Sequence, residues 1–147
     1  MKRVKDAVSD LIKKYKTNDP YELASRMNIE VVLWDLHKEI YGFYKYERRN
    51  RFIFINSNLT ETKQRFVCGH ELGHAILHTK VNTPFLRKNT FFSLEKIEVE
   101  ANTFAVELLL PDVFLDTYRN TDTTIYQVAA TNGIPKEFVY LKQYKNF

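Results

Sequence analysis

Three short runs rich in aromatic and β-branched residues, 29–35, 40–46 and 51–56, stand between stretches whose apolar residues recur at helical spacing. The last two runs flank Glu47-Arg48-Arg49-Asn50, a hairpin turn. This order predicts an α+β fold: a small antiparallel sheet with helices on both sides of it in the chain. Val4, Ala7, Val8, Leu11, Ile12 and Tyr15 give an amphipathic helix over 3–16, and Asp19 with Pro20 opens a short second helix running to about Met27. After the strands, Thr60 caps a helix to about His78. A loop with Pro84 follows, then a helix from Ser93 that ends before Pro111. Two short helices, about 122–131 and 136–144, close the chain around Asn132-Gly133.

A chain of 147 residues with 44% apolar and 27% charged residues can bury one sizeable core. A single domain over 1–147 is expected, with a small helical extension at about 120–147. The one cysteine, Cys68, excludes an internal disulfide framework and Cys-built zinc ribbons; it reads as a small buried apolar side chain. No run approaches the roughly 20 apolar residues of a membrane span, and the charge-broken start lacks an apolar leader core. A cytoplasmic location is expected. The net charge of +4 resides in 1–16, where Lys2, Arg3, Lys5, Lys13, Lys14 and Lys16 face only Asp6 and Asp10. This predicts a basic, solvated outer helix face, with docking onto an acidic partner as its functional reading. A general nucleic-acid coat is not expected.

The chemistry lies in His70-Glu71-Leu72-Gly73-His74. On a helix, positions i and i+4 share a face, so both imidazoles reach one metal ion while Glu71 is placed to work as a general base. Hydrolytic zinc usually takes a third protein ligand. His78 lies about 12 Å along the helix from His70, too far for one ion to collect all three, and reads as a polar residue near a helix C-terminus. Position 80 is Lys80, which excludes the metzincin spacing, and His37 has no motif around it. The acids of the following helix remain: Glu95, Glu98, Glu100 and Glu107. Its core stripe is Ile97, Ala101, Phe104, Ala105 and Leu108. Glu98 and Glu100 flank that stripe on opposite sides, each about 80° from its centre, so periodicity does not choose between them. Glu98 has Asn102 one turn on, an acceptor able to hold the distal N–H of a ligating imidazole. Glu98 with Asn102 is the preferred pair, and Glu100 is the fallback or a rim carboxylate.

The segment from His70 to His78, followed by Glu98-Val99-Glu100-Ala101-Asn102-Thr103-Phe104-Ala105 and Leu108-Leu109-Leu110-Pro111, resembles the ImmA/IrrE metallopeptidases. The similarity is strongest over 51–111 and includes the aromatic strands ending in Asn56. Matched residue by residue, it again selects Glu98 and Asn102. It also resembles the Glu-x-x-x-Asp element of gluzincins, with Asn102 in place of the acid and one negative charge lost. The resemblance implies a bacterial Zn²⁺ endopeptidase that cleaves a helix-turn-helix repressor of a prophage or mobile element and so relieves repression. Zinc on His70, His74 and Glu98 and Glu71 as general base are the expected site. A peptide is expected along the sheet edge near Tyr41, Phe43 or Phe52.

The competing reading is a DNA-binding or repressor-sequestering regulator. Ile125, Val128, Ala129, Gly133, Ile134 and Val139 are spaced like a helix-turn-helix, but Lys136, Lys142 and Lys145 give too thin a basic face for phosphate contacts. Direct DNA binding is therefore not expected, and these residues read as packing.

Overall fold

A computed structural model of the chain describes residues 2–82, 86–87 and 95–144. The fold is α+β. Helices α1 (Lys2–Tyr15) and α2 (Pro20–Arg26) precede strands β1 (Ile29–Trp34), β2 (Ile40–Glu47) and β3 (Asn50–Asn56). Helix α3 (Glu61–Leu77), the two-residue strand β4 (Leu86–Arg87) and helix α4 (Lys96–Leu109) follow. Two short helices, α5 (Asp112–Asp116) and α6 (Ile125–Thr131), and a 3-10 helix at Lys136–Leu141 complete the described chain.

The capping chemistry accounts for the helix starts. Asp19 accepts from the Tyr21 N–H with Pro20 as the first helical residue, and Thr60 accepts from the Lys63 N–H at the head of α3. Thr124 and Gln127 form a reciprocal capping box on α6. The expected helix start at Ser93 lies outside the described residues; α4 is described from Lys96. Helix α5 was not anticipated, and the segment expected as a helix over 136–144 is a 3-10 turn ending at Leu141.

The sheet is mixed, which corrects the expectation of an antiparallel one. Its order is β1-β3-β2-β4. β2 and β3 form the antiparallel hairpin, with Glu47 opposite Asn50 at its tip, but β3 lies between β2 and β1 and runs parallel to β1. Asn56 at the end of β3 fixes the crossing. Its side-chain oxygen accepts from the Leu36 and Asn58 N–H groups, and its amide donates to the His37 and Ile40 carbonyls. One fully buried side chain thus ties the 35–40 connection over the strand that separates β1 from β2.

The buried face of the sheet carries Tyr44, Ile53 and Ile55 beneath α3, and α4 packs on α3 from the other side. Both helices are buried around their full circumference at the contact, over residues 66–75 and 100–110. The close approach is built into the motif itself. A Cβ at Gly69 would sit 3.2 Å from the Ala105 Cβ. One at Gly73 would sit 3.0 Å from the Phe104 Cβ and 3.2 Å from the Ala101 Cα. Two glycines four residues apart on α3 therefore face Ala101, Phe104 and Ala105, and the helix axes draw together. That closeness lets side chains of α4 reach the histidines of α3.

The basic residues of α1 are not all solvated. Arg3 pairs with Glu100 of α4, and Lys5 contacts Glu107 and Asp112. Arg3 is distant from the motif in sequence but reaches Glu100, the partner of His78, in space.

Candidate metal centre

Helix α3 places His70 and His74 on the face turned to α4, with ring centroids 4.9 Å apart. Glu98 comes from the first turn of α4. One of its oxygens lies 3.4 Å from His70 Nε2 and 2.9 Å from His74 Nε2. A donor atom from each of the three residues falls within a common 4.8 Å. Tetrahedral zinc with ligands at about 2.0–2.1 Å requires donor atoms roughly 3.3 Å apart, so the spacing suits such an ion. Two neutral imidazoles and a carboxylate are also the donor types that a divalent transition metal takes.

Glu71 is almost wholly buried beside this cluster, with one oxygen 3.9 Å from His70 Nε2. Neither of its carboxylate oxygens has a hydrogen-bond partner among the described residues. A buried carboxylate left in that condition is costly unless the site supplies a cation, a water or a substrate proton. Burial, reinforced by the charge of Glu98 and opposed by His70, pushes its carboxyl up to about 8. Burial pulls His74 down to about 4. Burial also acts to lower His70, but the neighbouring Glu98 and Glu71 carboxylates raise it overall. Glu98 is desolvated, yet the two imidazoles hold it well below the usual carboxylate range.

The outer contacts separate the candidates. Asn102 Oδ1 lies 2.7 Å from His70 Nδ1, where it accepts the distal proton of the ring. Glu100 points elsewhere: it accepts from His78 Nε2 at 2.9 Å and from the Arg3 guanidinium. It is buried rather than a rim group. Although burial pushes its carboxyl up, the bonds from His78 and Arg3 hold it below its ordinary value. Glu107 is buried with Lys142 and Lys5, away from the histidines. His37 lies in the β1–β2 connection, where its Nδ1 accepts from the Glu39 N–H. His78, read from the sequence as an ordinary terminal polar residue, is the C-cap that follows the last residue of α3. Its Nδ1 lies 3.0 Å from His74 Nδ1. Its spacing of four from His74 was the available signal.

The aromatic residues divide. Tyr41 is buried, whereas Phe43 and Phe52 lie with Phe54 on the sheet face opposite α3, Phe43 stacked on Phe54 at 4.5 Å. Cys68 is fully buried, and burial pushes its thiol up, which suits a packed side chain. Val128, Ala129, Ile134 and Val139 are buried, and the second element of the supposed helix-turn-helix is the six-residue 3-10 turn. Among the described residues, no helix is long and apolar enough to cross a membrane.

Comparison with known proteins places the chain in a family. Residues 24–143 match the family model for the IrrE N-terminal-like domain, the peptidase M78 family. The chain is 58% identical over 147 residues to "Uncharacterized immunity region protein 2" of Bacillus phage phi105, covering 98% of this chain and 93% of that protein. It is 32% identical over 115 residues to "Metallopeptidase ImmA" of Bacillus subtilis (strain 168), covering 78% of this chain and 68% of the relative. With a matching family over most of its length and a metal-competent cluster in the helix pair, the chain belongs to the ImmA/IrrE metallopeptidase family, whose chemistry implies a metal cofactor and a protein substrate.

Proposed function

We propose that the protein is a zinc-dependent endopeptidase that cleaves a helix-turn-helix repressor of a prophage or mobile element. The observation that carries the reading is the convergence of His70, His74 and Glu98 beside the buried carboxylate of Glu71, which has no hydrogen-bond partner among the described residues. In this reading His70 and His74 offer their Nε2 lone pairs and Glu98 an oxygen. Asn102 holds His70 in the Nδ1–H form by accepting that proton. Zinc held there supplies Lewis acidity toward a peptide carbonyl and toward water. Glu71 takes a proton from the attacking water and delivers it to the leaving amide nitrogen. The substrate class is supported by the relatives: one is named for a phage immunity region and the other as a metallopeptidase.

The test is to incubate the purified protein with candidate helix-turn-helix repressors and resolve the products on a gel. Two fragments that disappear with a chelator are expected. Glu71→Gln should retain the metal and lose at least about 10²-fold in cleavage rate, as removal of a general base does. His74→Ala should lose both metal and cleavage. Full proteolysis by Glu71→Gln would remove the general-base role. Salt-dependent binding to operator DNA without fragments would favour the regulator instead; the six-residue 3-10 turn in place of a recognition helix speaks against that.

A further inference from the structure

His74 and His78 face each other through their Nδ1 atoms at 3.0 Å. Two ring nitrogens in that position share one proton, so one must donate and the other accept. An imidazole that offers its Nε2 lone pair to a metal carries its proton on Nδ1, which makes His74 the donor. His78 must then accept at Nδ1 and carry its own proton on Nε2. That atom lies 2.9 Å from Glu100 Oε1, an acceptor only. The second oxygen of Glu100 takes a hydrogen bond from Arg3. A single assignment of protons therefore satisfies every link, running from His74 through His78 to Glu100, with the Arg3 cation behind it.

The local structure explains how the chain forms. His78 is the residue at which α3 ends, with φ −131° and ψ 46°, so its ring is free of the helical path and folds back on the ring one turn earlier. Glu100 lies two residues beyond Glu98 on α4. Its side chain is 7% exposed, so its charge acts through a poorly screened path. Arg3 is 63% exposed and contributes less. The two imidazoles of the cluster are consequently supported differently. His70 rests on the neutral oxygen of Asn102, whereas His74 is backed through His78 by a full carboxylate. The negative charge that an aspartate in place of Asn102 would bring to His70 is supplied on the other histidine.

We infer that His78 and Glu100 are positioning residues of the metal centre, His78 holding His74 in the Nδ1–H form with its Nε2 aimed at Glu98, and Glu100 supplying the charge that strengthens His74 as a ligand. The inference rests on His70, His74 and Glu98 being the ligands. Three variants test it: His78→Phe, which keeps a planar ring but no acceptor; His78→Asn, whose amide oxygen stands near the position of the lost Nδ1; and Glu100→Gln, which keeps shape and loses charge. The readouts are Zn²⁺ affinity by competition with a chromophoric chelator, the visible spectrum of the Co²⁺-loaded protein, and thermal unfolding of the metal-free protein.

His78→Phe should bind zinc about 10–100-fold more weakly, with an altered cobalt spectrum and a metal-free form that still unfolds cooperatively. His78→Asn should recover part of that loss, since it restores the acceptor for His74 but not the link to Glu100, and Glu100→Gln should lose roughly tenfold. Wild-type affinity in His78→Phe overturns the inference. Equal losses in His78→Phe and His78→Asn also overturn it, since packing alone would then explain them. If His78→Phe does not fold, Glu100→Gln decides, and unchanged affinity there overturns the role of the charge. A wild-type protein that takes up neither zinc nor cobalt fails at the earlier step, the ligand assignment itself.

Discussion

At the level of single residues, the distinction between Glu98 and Glu100 is one of direction. The two carboxylates are separated by Val99 alone, yet one touches His70 and His74 and the other touches His78 and Arg3. From the sequence both sat about 80° from the core stripe, and no periodicity argument could say which side faced the histidines. The answer depends on how α4 is rotated against α3. Gly69 and Gly73 contribute to that by meeting Ala101, Phe104 and Ala105 so closely that an added side chain would push the helices a few tenths of an ångström apart. Glu98→Ala should therefore bind less than about a tenth of the zinc held by wild type at equal protein concentration, because a ligand is removed outright. Glu100→Ala should still load at saturating metal. Metal analysis after desalting checks this, and loss confined to Glu100→Ala would reverse the assignment. His78 was illegible for a related reason. Its distance from His70 excluded a shared ion, but the same spacing left it one turn from His74, where it meets the far side of the ring.

Among elements, the β2–β3 hairpin was readable because its alternation and its polar tip agree. The turn itself is under strain. Arg48 and Arg49 both adopt positive φ, 50° and 67°, the pattern of a type I′ turn that Asn-Gly accommodates far better. Replacing the pair by Asn-Gly is expected to stabilise the fold by about 1 kcal/mol, visible as a higher denaturant midpoint with an unchanged slope. An unchanged or lower midpoint would show that the two arginines gain more from their surroundings than the backbone loses. Strand order was not readable. Alternation tells which residues share a face but not which strand lies alongside, and β1 found β3 rather than β2 because the Asn56 side chain secures the crossing connection.

Across the whole molecule, the basic N-terminal helix belongs to the core architecture. Lys5 and Lys142 meet Glu107 and Asp112, joining α1, α4, α5 and the segment after the 3-10 helix in one ionic cluster. Burial acts to raise the Asp112 carboxyl, but hydrogen bonds from Lys142 and Lys5 hold it below its ordinary value of 3.8. A depressed acid stabilises the fold above that value, and the stabilisation is lost as pH falls through the lower folded one. Asp112→Asn should thus lower stability at pH 7, by no more than about 1 kcal/mol given the exposure of the group, and the gap to wild type should shrink as the pH falls below 3.8. A constant gap between the two proteins across that range would place the effect elsewhere.

The sequence by itself determined the main helices and the β2–β3 hairpin, the caps at Asp19 and Thr60, the helical spacing of His70 and His74, and the family resemblance. Each of these depends on neighbours within a few positions of one another or on a motif copied whole. Only the tertiary structure decided that β1 runs beside β3, that the Glu98 already preferred from Asn102 and the resemblance lies against both imidazoles while Glu100 turns to His78, and that Arg3 and Lys5 of α1 reach α4. Those outcomes turn on the rotation and separation of packed elements. Contacts between residues as far apart as Arg3 and Glu100 fix them, and no local pattern along the chain encodes the angle at which two helices meet.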